Sequence, residues 1–127
     1  MSDMRTPLSR ARGLGSAKKG TAHFWSQRVT ALANIPLTLF MVAMLVIHAG
    51  KDHAAIVSFL GNPFIGLIML LLIVSAVMHM RLGLQVVIED YIHGEAAKLL
   101  LLVGNTFFAI TIGAACTLAV LKLVIGS

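Results

Sequence analysis

Within thirteen positions the sequence sets an imidazole, a guanidinium, a glycine, two carboxylates and a phenol: His79-Met80-Arg81-Leu82-Gly83-Leu84-Gln85-Val86-Val87-Ile88-Glu89-Asp90-Tyr91. An imidazole inside an apolar stretch can ligate a metal, relay a proton or simply bond to a neighbouring helix. A guanidinium suits carboxylates through paired, charged hydrogen bonds. A phenol beside a carboxylate can hold a polar head group and exchange protons with water. On a helix, His79 and Asp90 return to nearly one stripe, about 16 Å apart along the axis. Gly83, one turn from His79, removes a side chain where a flat ligand or a second helix comes close. Each residue also has a plainer role: helix packing for His79 and Gly83, anchoring at the membrane edge for Arg81 and Tyr91.

These residues need a scaffold, and the composition says what kind. The chain has 127 residues, 58% hydrophobic and 12% charged, with a mean hydropathy of +0.93, which excludes an ordinary water-soluble domain. The expected fold is an all-α membrane protein, a single anchor domain over 1–127 with transmembrane helices at 28–49, 63–89 and 97–125. Each run is long enough to cross a hydrocarbon core of about 30 Å at about 1.5 Å per residue. Arg5, Arg10, Arg12, Lys18, Lys19 and Arg28 precede or edge the first run, which puts the N-terminus on the cytoplasmic side and, after three crossings, the C-terminus on the periplasmic side. The net charge of +5 belongs to this flank. It is not a nucleic-acid face, which requires a water-facing patch with base-reading groups.

Residues 1–27 read as a cytoplasmic arm and interfacial segment, extended through Gly20 and then anchored by His23, Phe24 and Trp25 at the membrane edge. Asn34 and Pro36 interrupt the first run, and a proline there removes one backbone donor. Gly50 to Asn62 reads as a short outer loop ending at Pro63, a favoured first-turn residue. In the third run Gly104, Ala109, Gly113 and Ala114 offer small surfaces, and Asn105 and Thr106 polar contacts, for helix packing in lipid. The single cysteine, Cys116, excludes an internal disulfide, a CxxCH haem attachment and a cysteine-ligated iron–sulfur cluster within this chain. It reads as inert packing.

Any haem held here is therefore non-covalent. His48 falls at the outer end of the first run and His79 in the inner half of the second, too far apart in depth to ligate one iron. His23, His53 and His93 lie near or beyond the boundaries, and Met78 and Met80 point to other helical faces than His79. A six-coordinate haem on His79 would draw its second axial ligand from another chain. A short chain with almost no soluble part reads as one subunit of a larger complex.

The pattern His79-x3-Gly83-x6-Asp90-Tyr91 on the second span, with Gly20-x3-Phe24-x3-Arg28-x-Thr30-Ala31 entering the first, resembles the small hydrophobic anchor subunits of bacterial succinate dehydrogenase, respiratory complex II. The resemblance covers the whole plan of the chain. It implies that His79 is an axial ligand of haem b shared with a companion C-type cytochrome b anchor subunit, with Gly83 packing against the haem and Arg28 and Arg81 meeting its propionates. It implies further that Tyr91 hydrogen-bonds ubiquinone and Asp90 supports the same pocket. Arg81 and Glu89 stand at variable positions of the pattern. FAD and iron–sulfur clusters would belong to the flavoprotein and iron–sulfur partner subunits, which carry the dicarboxylate site. The implied location is the bacterial inner membrane, multi-pass. Two alternatives stand beside this: a fumarate reductase anchor, and a non-redox membrane assembly or transporter subunit.

Overall fold

Once a helix is nucleated, each added residue gains a hydrogen bond at little further entropic cost, and this governs where the first long element begins. The computed structural model describes residues 6–13 and 19–126, and those residues are helical or in short connections. A five-residue helix, α1, covers Pro7–Ala11. The second, α2, runs over Lys19–His48, starting nine residues ahead of the expected boundary (28 against 19). Nothing between Thr21 and Gln27 breaks a helix, and the Arg28 guanidinium lies 3.7 Å above the Phe24 ring one turn earlier, a favourable cation–π contact. The stretch from Lys19 to Gln27, expected to be partly extended, is therefore the first turns of the spanning helix. The parts of the expected arm at 1–5 and 14–18 lie outside the described residues. Pro36 stands inside α2 without ending it.

The expected outer loop contains a helix of its own, α3, over His53–Leu60. Asp52 caps it by accepting from the Ala55 N–H at 3.3 Å. The turn into it uses Gly50 at φ +81°, a backbone region that side chains disfavour. His48 closes the end of α2 by bonding its Nδ1 to the Met44 carbonyl at 2.8 Å and stacking on Phe59 of α3 at 4.0 Å.

Asn62 then caps α4, Pro63–Tyr91, accepting from the Phe64 N–H at 2.9 Å. With Pro63 in the first turn, its missing donor falls where a helix has none to satisfy. Only residues 92–94 separate α4 from α5, Glu95–Ile125, so the two helices run antiparallel. The Lys98 ammonium donates to the Glu89 carbonyl at 2.8 Å, satisfying one of the end carbonyls of α4 and opposing its negative pole. Both helices extend two residues beyond the expected limits at this junction, to 91 and from 95. Among the described residues three helices are long and apolar enough to cross a membrane: Thr21–His48, Pro63–Tyr91 and Glu95–Ile125.

The central helix is α4, packed against α2 and α5, with α3 resting across α4 and α5. Small residues set the α4–α5 distance. A Cβ built on Gly66 would stand 2.5 Å from Val124 Cγ2, and one on Gly113 3.6 Å from Val77 Cγ1. Ala109 and Val120 are buried there, and Asn105 donates through Nδ2 to the Arg81 carbonyl across the interface at 2.9 Å. Not every small residue of α5 serves this contact: Gly104 has open space around it, Ala114 and Cys116 are exposed, and Thr106 bonds back to Leu102 of its own helix.

The burial pattern is inverted relative to a soluble bundle. Thr30, Ser75 and Asn105 are buried, whereas Leu32 and Leu100 are 70% and 73% exposed. Hydrocarbon accepts leucine freely, so only shape and polar contacts hold such helices together. Substituting Gly66→Leu is expected to lower the chain's stability to unfolding in detergent by about 1–3 kcal/mol through overpacking against Val124. Gly104→Ala, placed in open space inside α5, is expected not to lower the same measurement and to raise it by up to about 1 kcal/mol through the better helix propensity of alanine.

Candidate functional site

Four polar residues of α2, His23, Gln27, Thr30 and Asn34, recur at intervals of four, three and four and so share one face about 60° wide. Opposite them on α4 stand Ser75, His79 and Gly83, each four residues from the last. Ser75 Oγ donates to the Thr30 carbonyl at 3.2 Å. Thr30 Oγ1 lies 3.2 Å from His79 Nδ1. The same Oγ1 lies 2.7 Å from the Ser26 carbonyl and 3.1 Å from that of Gln27, the back-bond that threonine makes within a helix. Thr30 and Ser75 are 8% and 9% exposed, and His79 is half-buried.

His79 is thereby held from one side only. Its Nε2 has no hydrogen-bond partner among the described residues. Gly83 is half-buried against α2, where an added Cβ would sit 3.5 Å from Gln27 Nε2. The close approach made at this glycine within the chain is thus to the α2 side chain. His23 Nε2, Gln27 Oε1 and Asn34 Oδ1 are buried without partners, so the polar seam continues along α2 on both sides of Thr30.

His48 does not join this cluster. It is eighteen residues along α2 from Thr30, about 27 Å by helical rise, and its ring is committed to Met44 and Phe59. Among the described residues no three of His, Cys, Asp and Glu converge, so this chain offers a metal at His79 one nitrogen and not a cage. An imidazole anchored at one nitrogen and open at the other is of the type that a haem iron takes as an axial ligand.

Among the described residues no contact brings the two arginines to His79. Arg28 lies over Phe24, and Arg81, two residues and about 200° from His79, lines a groove between α4 and α5 with Val77, Met78, Gly113 and Thr117. Tyr91, 75% exposed, ends α4 beside exposed Asp90. Asp90 and Tyr91 stand about 16 and 18 Å along the axis from His79, and neither is tied down by a hydrogen bond or ion pair among the described residues. The neighbouring Glu89 is held by Gln85 Nε2 at 2.8 Å. A phenol and a carboxylate thus lie open at the helix end, clear of the polar seam.

Gln27 and Ser75 were not singled out as site residues from the sequence, and Thr30 entered only as part of a spacing pattern. The signal for the first was present in the four-three-four recurrence of polar residues in α2. Ser75 carries none, because an isolated serine in an apolar run reads as a neutral small residue.

Comparison with known proteins places the chain in a family. Residues 2–113 match the family model for the succinate dehydrogenase/fumarate reductase transmembrane subunit. A succinate dehydrogenase hydrophobic membrane anchor subunit of Paracoccus denitrificans is 32% identical over 110 residues, covering 87% of this chain and 85% of that relative. One from Rickettsia bellii is 31% identical over 108 residues, covering 85% and 86%. The succinate dehydrogenase membrane anchor subunit of Reclinomonas americana is 32% identical over 85 residues, covering 65% and 71%. No solved structure matches the chain. With three spans and relatives that match it over most of their length, this chain belongs to the succinate dehydrogenase/fumarate reductase transmembrane subunit family, as a multi-pass membrane anchor of the succinate dehydrogenase type.

Proposed function

We propose that this chain is the anchor through which succinate:ubiquinone oxidoreductase holds one side of a b-type haem and builds part of its ubiquinone-reduction site. The single observation that carries the haem reading is the half-buried His79, fixed through Nδ1 and open at Nε2 within a membrane span. Intramembrane ionisable residues are costly and are functional candidates by default. His79 would supply one axial nitrogen and the companion C-type anchor the other. When bound, the haem supplies a one-electron redox centre buried in the anchor. Arg28 and Arg81 would reach its propionates only through the length of their side chains, and Gly83 keeps the helix surface next to His79 low.

At the other end of the site, Tyr91 would donate its phenol hydrogen to a carbonyl oxygen of ubiquinone, and Asp90 would keep the pocket linked to water. Reduction of the quinone to the quinol takes two electrons and two protons. The protons must come from groups in contact with water, and the end of α4 provides that contact. In this reading the Tyr91 end faces the cytoplasm, beside the iron–sulfur and flavoprotein subunits that oxidise succinate. The curated relatives are named for succinate dehydrogenase, which favours this direction over fumarate reduction and gives the transporter alternative no support.

Two variants separate the two parts of the proposal. His79→Leu in the purified complex is expected to abolish or replace the bis-histidine haem spectrum, and an unaltered spectrum would remove His79 as a ligand. Tyr91→Phe is expected to leave the haem spectrum intact while lowering succinate–quinone reductase turnover by roughly 2- to 10-fold, the value of one neutral hydrogen bond. Turnover equal to that of the parent would remove Tyr91 from the quinone site.

A further inference from the structure

We propose that Thr30 is the positioning residue of His79: its hydroxyl oxygen accepts the Nδ1–H, holding the imidazole in the tautomer whose free lone pair lies on Nε2. The proposal rests on the reading of His79 as a haem ligand and adds the residue that makes it one.

The argument is a count of protons. A threonine hydroxyl carries one hydrogen and two acceptor positions. Thr30 Oγ1 has three neighbours: the Ser26 carbonyl at 2.7 Å, the Gln27 carbonyl at 3.1 Å and His79 Nδ1 at 3.2 Å. Two of these are carbonyl oxygens, which can only accept. An oxygen–oxygen distance of 2.7 Å is that of a formed O–H···O bond, and without a hydrogen between them the two oxygens would repel. The single hydrogen of Thr30 therefore points to its own helix. What it presents to His79 is a lone pair, so the hydrogen in that contact belongs to Nδ1. In a neutral imidazole the remaining nitrogen is then unprotonated, and Nε2 is the nitrogen with no partner among the described residues.

Two further features hold the arrangement. Ser75, one turn before His79 on α4, donates to the Thr30 carbonyl at 3.2 Å, tying the same threonine to α4 through its backbone. Burial of Thr30 to 8% exposure limits the access of water to the hydroxyl. A hydroxyl that donates its own hydrogen is also a better acceptor, so the back-bond to Ser26 strengthens the hold on Nδ1. A metal-ligating histidine normally donates its second N–H to a fixed acceptor, which sets ring orientation and raises the basicity of the ligating nitrogen. Here that acceptor comes from a different helix.

The test compares variants of the assembled complex by the low-spin haem electron paramagnetic resonance signal, the haem midpoint potential and haem content after gel filtration. Thr30→Val keeps the shape and removes the acceptor. It is expected to shift the resonance signal, raise the midpoint potential and weaken haem retention by about 10- to 100-fold. Thr30→Ser restores a hydroxyl and is expected to return all three to parental values. Ser75→Ala removes the inter-helix bond but leaves the Thr30 hydroxyl, and is expected to shift the haem signature less than Thr30→Val does; a shift as large as that of Thr30→Val would reduce Thr30 to a merely structural role. If Thr30→Val fails to assemble, Thr30→Ala supplies the same measurement with less bulk. Parental signal and potential in the variant lacking the hydroxyl would overturn the role of Thr30 alone, provided that His79→Leu changes the spectrum. A spectrum unchanged by His79→Leu would instead overturn the ligand assignment, and the proposal with it.

Discussion

Hydrocarbon offers no hydrogen-bond partner, so a polar side chain inside this bundle must find one in another part of the protein. Thr30 meets that constraint with both its side chain and its backbone. Its hydroxyl bonds within α2 and contacts His79, and its carbonyl receives Ser75. Around that residue α2 and α4 are held at one rotation and one depth, because slipping either helix by a turn would break both cross-helix polar contacts, those of Ser75 and of His79, at once. Such groups cost on the order of 1–3 kcal/mol each when left unsatisfied. The α4–α5 contact obeys the same rule more sparingly, with Asn105 on the Arg81 carbonyl and small residues bringing the backbones together.

This constraint links stability to chemistry. The same contact that registers α2 on α4 also holds Nδ1 of His79, the histidine proposed as a ligand. A site built on two packed helices is more rigid than one on a loop. The exposed end of α4 is built differently. Lys98 caps it, Gln85 holds Glu89, and Tyr91 and Asp90 are left open. An exchangeable substrate suits an open helix end, whereas a resident group suits a fixed interior ligand, and the roles proposed for the two ends of this thirteen-residue stretch divide along that line.

The outer surface completes the picture expected of an anchor subunit. Large apolar side chains such as Val29, Leu39, Leu71, Phe107 and Leu118 are more than half exposed, so the bundle presents apolar faces all round to lipid or to neighbouring subunits. Within the family, succinate dehydrogenase anchors are parts of a larger complex, and a chain that buries this little of itself is consistent with such company. The unpartnered atoms of His23, Gln27 and Asn34 belong to the face that also carries Thr30, so the polar side of α2 is not exhausted by its contacts within this chain.

Much of this was legible in the sequence. Hydropathy alone determined three spanning helices, since a run of about twenty apolar residues has no other stable form across a bilayer. Spacing put His79, Asp90 and Tyr91 in their order of depth, and the separation of His48 from His79 followed from helical rise. The start of α2 at Lys19 and the presence of α3 were not legible, because propagation from a nucleated helix and the capping of a short one depend on contacts such as Arg28 on Phe24 and His48 on Phe59. Nor was the use of each face. Only tertiary structure decided that Gly83 meets Gln27, that Gly104 packs on nothing among the described residues, that Arg81 turns toward α5, and that Thr30 and Ser75 bracket the histidine. Periodicity fixes which residues share a face of one helix, but the rotation of that face toward a neighbour is set by the sum of packing and polar contacts between helices, which no single segment contains.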